Sequence, residues 1–143
     1  MINFLYYTTD IGVREMRYDI TNSELEILQV MWKTGRPLPR AEILKLSTEK
    51  TWKDNSIHIL LNGMLDKGTI QTADFVRSGK VWARTYEPKV SARDYYVDYF
   101  NTYGWPDPIK FVEYVVSQEN VSKETIDQMI EIIEQKKREM KSK

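Results

Sequence analysis

Cysteine is absent from this 143-residue sequence, histidine occurs once, and no apolar run approaches the roughly 20 residues that a membrane-crossing helix needs. The missing cysteines remove disulfides, thiolate metal ligands and thiol nucleophiles together, and they suit a reducing cytoplasm. The lone His58 has no second histidine with which to hold a metal, and no serine or cysteine partner in a pocket to activate. A glycine-rich phosphate cradle is missing as well. We therefore expect no catalytic residue, no metal and no cofactor, and do not read the chain as an enzyme. An excess of either charge is the last absence: Lys plus Arg and Asp plus Glu are both 21. Any polyanionic partner must then be met by a local patch rather than by a global field. With no basic segment leading into a long apolar core at the start, the expectation is a soluble, cytoplasmic protein without a membrane partner.

What is present is helical periodicity broken by turn residues. Residues 1–17 show no clean period and read as an N-terminal extension that packs opportunistically or is disordered; MRYDITNSE, from Met16, reads as a natural start. Leu25, Leu28, Met31 and Trp32 then recur at three- and four-residue spacing, between a cap at Thr21, Asn22 or Ser23 and a stop at Gly35. Pro37 and Pro39 interrupt the chain before a short helix carrying Ile43, Leu44 and Leu46. A third helix, capped by Asp54 or Asn55 and ended by Gly68, carries the stripe Ile57, Leu60, Leu61, Met64 and Leu65. Strand-favouring TIQTADFV and VWARTYEP flank RSGK and predict a β-hairpin turning at Ser78 and Gly79. After Pro88 come an aromatic-rich helix, a helix opening after Pro106 and Pro108, and a helix capped by Ser122 whose lysines gather at its end.

Helix, helix, helix, hairpin is the order of a winged helix-turn-helix domain. The run YDITNSELEILQVMWKTG, the tryptophan-led TWKDNSIHILLNGMLDKGTI and the strand ending in TYEP together resemble the penicillinase repressor (BlaI/MecI) family over residues 18 to about 140. The resemblance implies a mainly α fold with a small β-hairpin wing: an extension at 1–17, a winged helix DNA-binding domain at 18–89 and a helical dimerisation domain at 90–143. It also implies a homodimeric transcriptional repressor whose partner is a palindromic double-stranded operator. The face of the third helix opposite its stripe, an ordinary solvated face on pattern alone, then becomes the groove face. Asn55, Ser56, His58 and Asn62 are candidates for base contacts, and Ile59 for a thymine methyl. Arg36, Arg40, Lys50, Lys53, Arg77, Lys80 and Arg84 are candidates for the DNA backbone, each weighed against a plain solvated cation.

Departures from the family accompany the likeness. Many relatives carry arginine where Gly63 stands and a basic or polar residue at His58, and Asp66 adds a negative charge to the same face. The paired cysteines of copper-sensing relatives are missing. Tyr95, Tyr96, Tyr99, Phe100 and Tyr103 allow three readings, an intramolecular core, a ligand pocket or a dimer interface. We take the interface, with Ile126, Met129, Ile130 and Ile133 packing across it, because aromatic residues are enriched at buried interface centres. Resistance repressors of the family lose repression when cut between an asparagine and a phenylalanine in this helix, which makes a regulatory protease a candidate partner. The counterpart here is Asn101 followed by Thr102, and the cleavage site is not carried over. Two rival functions stand beside the repressor: a winged helix turned protein-interaction module, and a ligand-sensing regulator.

Overall fold

A computed structural model describes residues 15–142, and most of the expected extension lies outside that range. Helix α1, Asn22–Thr34, starts at Thr21 with both halves of a capping box. The Thr21 hydroxyl accepts from the Glu24 amide at 3.3 Å, and a Glu24 carboxylate oxygen accepts from the Thr21 amide at 2.9 Å. Gly35, at φ 74°, ends the helix where the sequence places its stop. The residues buried along α1 are Ile27, Leu28 and Met31, joined by Glu24, so the apolar stripe runs through Ile27 and Leu25 is only half-buried.

Between the two prolines the sequence shows only a break. The chain in fact forms β1, Leu38–Pro39, which pairs antiparallel with a later strand before α2, Arg40–Leu46. Proline is admissible in such a short edge strand because an edge leaves some backbone N–H groups without a ladder partner. In α2, Ile43 is fully buried whereas Leu46 is exposed. The entry to the third helix also differs from expectation. Asp54–Ser56 form a single 3-10 turn, α3 runs Ile57–Lys67, and no side-chain hydrogen bond caps either one. Asp54 is instead engaged by Lys50 at 2.7 Å. Ile57, Leu61 and Met64 enter the core, with Leu60 and Leu65 packed at its edge.

The hairpin is β2, Ile70–Ser78, and β3, Val81–Pro88, and with β1 it makes a three-stranded sheet in the order β1-β3-β2. Ser78 pairs with Val81, which places the turn at Gly79 and Lys80, one residue beyond the expected position. Gly79 has φ 64°, the left-handed conformation such a turn requires. Between the pairs Thr72↔Tyr86 and Phe75↔Arg84 lies a β-bulge at Ala73 and Asp74. The buried Thr85 hydroxyl donates to the Asp74 carbonyl there and satisfies a group that the ladder leaves out.

Helix α4, Ala92–Tyr103, belongs to the same compact unit as the winged helix, a unit that runs to Gly104. Ser91 caps α4, and Trp32 of α1 anchors it. The Trp32 indole donates to the Val90 carbonyl at 2.8 Å, and its ring lies 6.0 Å from Tyr95 and 6.1 Å from Tyr96. Gln29 donates to the Tyr96 hydroxyl, and Asp98 accepts from the Arg17 amide at 2.8 Å, which ties the described end of the extension down. The second unit, from Trp105, holds α5, Pro108–Val116, capped by Asp107, and α6, Lys123–Lys141, capped by Ser122. Neither α5 nor α6 contains a buried residue.

Glu24 links the two helices that matter most. Its buried carboxylate accepts from Lys67 Nζ, at the end of α3, at 2.8 Å. Burial alone would raise the Glu24 pKa, but the hydrogen bonds from Lys67 and Thr21 outweigh it and hold the carboxyl below its ordinary value. A depressed folded-state pKa contributes stability that is present above an ordinary glutamate value of about 4.3 and is lost as pH falls through the folded value. Glu24→Gln should therefore cost about 1–2 kcal/mol at pH 7 by urea denaturation, and the difference from the parent should shrink as the pH approaches 3. A difference independent of pH would contradict the ionised pair. Gly63 stands opposite this carboxylate, and a Cβ there would meet Glu24 Oε2 at 3.7 Å, an ordinary contact. Gly63→Ala should accordingly stabilise the fold by about 0.5–1 kcal/mol through helix propensity, read as a higher melting temperature.

Candidate nucleic-acid interface

The core fixes which side of α3 is free. With Ile57, Leu61 and Met64 turned inward, His58, Ile59 and Asn62 are exposed, and Asn55 extends the same row from the preceding 3-10 turn. Positions 55, 58, 59 and 62 fall at helical spacing and form one outward ridge. Ile59 is 76% exposed. Ser56 is half-buried and lies at the edge of the ridge. Gly63 does not belong to the ridge at all, because it faces Glu24 of α1; Asp66 does, one turn beyond Asn62. Donors, acceptors and an apolar contact are thus arrayed together on a supported helix, the form in which base edges are read in a major groove.

The flanking cations divide into two groups. Arg36 is held by Glu42 through both guanidinium nitrogens, and the pairing raises the arginine and lowers the carboxylate. Lys50 bonds Asp54 and also lies 5.5 Å from the centre of the Trp52 ring. These two have carboxylate partners within the chain. Arg40, Lys53, Arg77, Lys80 and Arg84 make no ion pair with an acid among the described residues. Arg40, the first residue of α2, lies against the His58 imidazole, 3.1 Å from Nδ1, so a cation sits beside the ridge on α3. Arg77 donates to the Gly79 carbonyl across the hairpin turn, beside Lys80. Arg84 lines a cleft of about 400 Å³ between the wing and the start of α2, together with Arg40, Trp82 and Tyr86.

The aromatic helix splits in a similar way. Tyr95 is buried against Trp32, so its contact is made within the chain, and Tyr96 meets it edge-on at 5.2 Å. Tyr99 and Tyr103 are exposed and pair with each other at 4.8 Å, while Phe100 is half-buried. In α6, Ile126 and Met129 are half-buried and Ile130 and Ile133 exposed. Sequence reading missed Glu24 as the joint between α1 and α3, although the T-x-x-E pattern of Thr21 and Glu24 was its signal. It also passed over Phe75 and Trp82, both exposed on the wing.

A model of the penicillinase repressor family matches residues 20–135, which include every element from α1 through α5 and most of α6. The chain belongs to the penicillinase repressor family. Among curated relatives, the penicillinase repressor of Bacillus licheniformis is 29% identical over 76 residues, 53% of this chain and 56% of that protein. An uncharacterized 16.5 kDa protein in the ptsI 3' region of Latilactobacillus sakei is 32% identical over 54 residues, 38% of this chain and 37% of its own length. The chain thus spans between about a third and somewhat over half of the curated relatives it matches. Within this penicillinase repressor family member, the fold is the winged helix-turn-helix that the sequence implies.

Proposed function

We propose that the chain is a cytoplasmic transcriptional repressor that binds a palindromic operator as a homodimer. Each protomer sets the 3-10 turn and α3, residues 54–67, in a major groove, and its wing on the adjacent backbone. The observation that carries this reading is the exposed ridge of Asn55, His58, Ile59 and Asn62 above a packed core in a member of the penicillinase repressor family. Arg40 and Lys53 flank the ridge as phosphate anchors, and Arg77, Lys80 and Arg84 anchor the wing. Arg36 and Lys50 have carboxylate partners of their own and contribute little until those pairs open. Dimerisation is supported by α5 and α6, which contain no fully buried residue and leave Ile130 and Ile133 exposed among the described residues. The exposed Tyr99 and Tyr103 extend the same supply of apolar surface, whereas Tyr95 serves the fold.

The carboxylate pairing of Arg36 and Lys50 favours one rival, a protein-interaction module that no longer reads DNA. Selection of bound fragments from genomic DNA, followed by titration across a salt series, separates the two. The repressor predicts recovery of a symmetric site and a linear fall of log affinity with log salt, at about 0.9 per phosphate contacted. No recovery at low salt leaves the interaction module standing. On a recovered site, Arg84→Ala should weaken binding on all sequences and reduce the salt slope by about 1, whereas Asn62→Ala should relax preference at one base pair by about 1–3 kcal/mol. Ile130→Asp should yield a monomer by light scattering, and a surviving dimer would move the interface off α6.

A further inference from the structure

The outer half of the wing presents an apolar face with no core beneath it. Register places Phe75 opposite Arg84 and Arg77 opposite Trp82, and with a period of two these four side chains share one face. The bulge at Ala73 and Asp74 makes that face continuous with the one carrying Ile70, Leu38 and Tyr86, because it brings residues 72 and 75 to the same side. Near the body of the domain this face is packed, with Ile70 and Leu38 buried. Farther out it runs past the core, and Trp82 is 62% and Phe75 59% exposed. Two large aromatic side chains left in water on a protruding hairpin are a cost to the free protein and mark a contact surface.

Charge decides what the surface meets. From Phe75 to Thr85 the chain carries Arg77, Lys80 and Arg84 and no acid, so apolar rings and cations alternate. Neither Arg77 nor Arg84 has a carboxylate partner among the described residues. The same face opens onto the cleft shared with Arg40, whose guanidinium touches His58 on α3. A partner that fits must be polyanionic, must offer an apolar slot between its charges, and must reach the recognition helix as well. Duplex DNA opened at a base step meets all three requirements, since aromatic side chains can enter between base pairs while flanking arginines hold the phosphates.

We propose that Trp82 is a wedge that enters the minor groove of the operator beside the α3 half-site and unstacks a base step, with Phe75 behind it and Arg77 and Arg84 on the two backbones. This assignment rests on the repressor reading and adds to it a source of specificity without base-edge contacts. A wedge favours steps that kink easily, such as TA, over stiff A-tracts.

The test uses duplex recovered from the genomic selection, with TA steps placed across both flanks, and permanganate to detect unstacked thymines. The bound parent should make thymines hyperreactive at one step on each flank. Trp82→Ala should abolish that reactivity and weaken binding about tenfold or more, the size of one lost aromatic–base stack, with an unchanged salt slope. Trp82→Phe should restore most of both. Flanks that stay unreactive under the bound parent, or reactivity that persists in Trp82→Ala, overturn the wedge and leave the repressor reading intact. If no duplex is recovered, both fall together. Cosedimentation with phosphatidylglycerol vesicles that requires Trp82, without any unstacking of duplex, would assign the face to a membrane surface instead and equally overturn the wedge.

Discussion

The bond between Glu24 and Lys67 is the constraint on which the placement of α3 depends. One carboxylate closes the capping box that starts α1 and receives the ammonium that ends α3, so the start of one helix is tied to the end of another. Gly63 has no side chain to stand between that carboxylate and α3. A buried charge without a partner is costly, and here the partner must come from α3, which converts an electrostatic requirement into a fixed helix position. The apolar contacts of Ile27, Leu28, Met31, Leu61 and Met64 supply most of the driving force. They are less directional than the ion pair, which joins the start of α1 to the end of α3. The ridge of Asn55, His58, Ile59 and Asn62 inherits its direction from that arrangement.

The weakly basic α3 is compatible with a chain of zero formal net charge. Positive charge is moved off α3 and onto its neighbours, Arg40 at the start of α2 and Arg77, Lys80 and Arg84 on the wing. Acids within the chain engage Arg36 and Lys50. Among the described cations without an acid partner are Arg40 beside the ridge and Arg77, Lys80 and Arg84 along the hairpin. In DNA-binding proteins contacts to phosphate set affinity and register, whereas neutral polar and apolar groups set sequence preference, and under the proposed function the two roles fall to different elements of this chain. The aromatic face of the wing extends this division. Shape and deformability can discriminate where few side chains touch base edges.

The aromatic residues of α4 serve two ends. Trp32, Tyr95 and Tyr96 form a ring cluster, supported by the indole bond to Val90, that fastens α4 to α1. Tyr99 and Tyr103 lie farther along the helix and remain exposed. One run of tyrosines thus reads in sequence as a single cluster, yet only its first part becomes core. The second unit, α5 and α6, is amphipathic and well capped, but no residue in either helix is buried. Capping and propensity make such helices, and only packing against another surface can bury their apolar sides.

The sequence by itself determined the order and most boundaries of the helices, because caps and stops are local. Gly35 and Gly68 end their helices in the left-handed conformation, and Ser122 caps the last one. The inward stripe of α3 was legible too, and with it the outward ridge, since a helix has one period and one buried side. Where a partner lay far along the chain, legibility stopped. The strand Leu38–Pro39 exists only because β3 returns beside it, and the bulge at Ala73 and Asp74 is visible only in the pairing of β2 with β3. Tyr95 is core only because Trp32, some sixty positions earlier, lies under it. Which arginines have an acid beside them, which aromatic rings find a core and which face of the wing is left bare were decided by the tertiary structure. Those outcomes depend on distances between segments that no local pattern encodes.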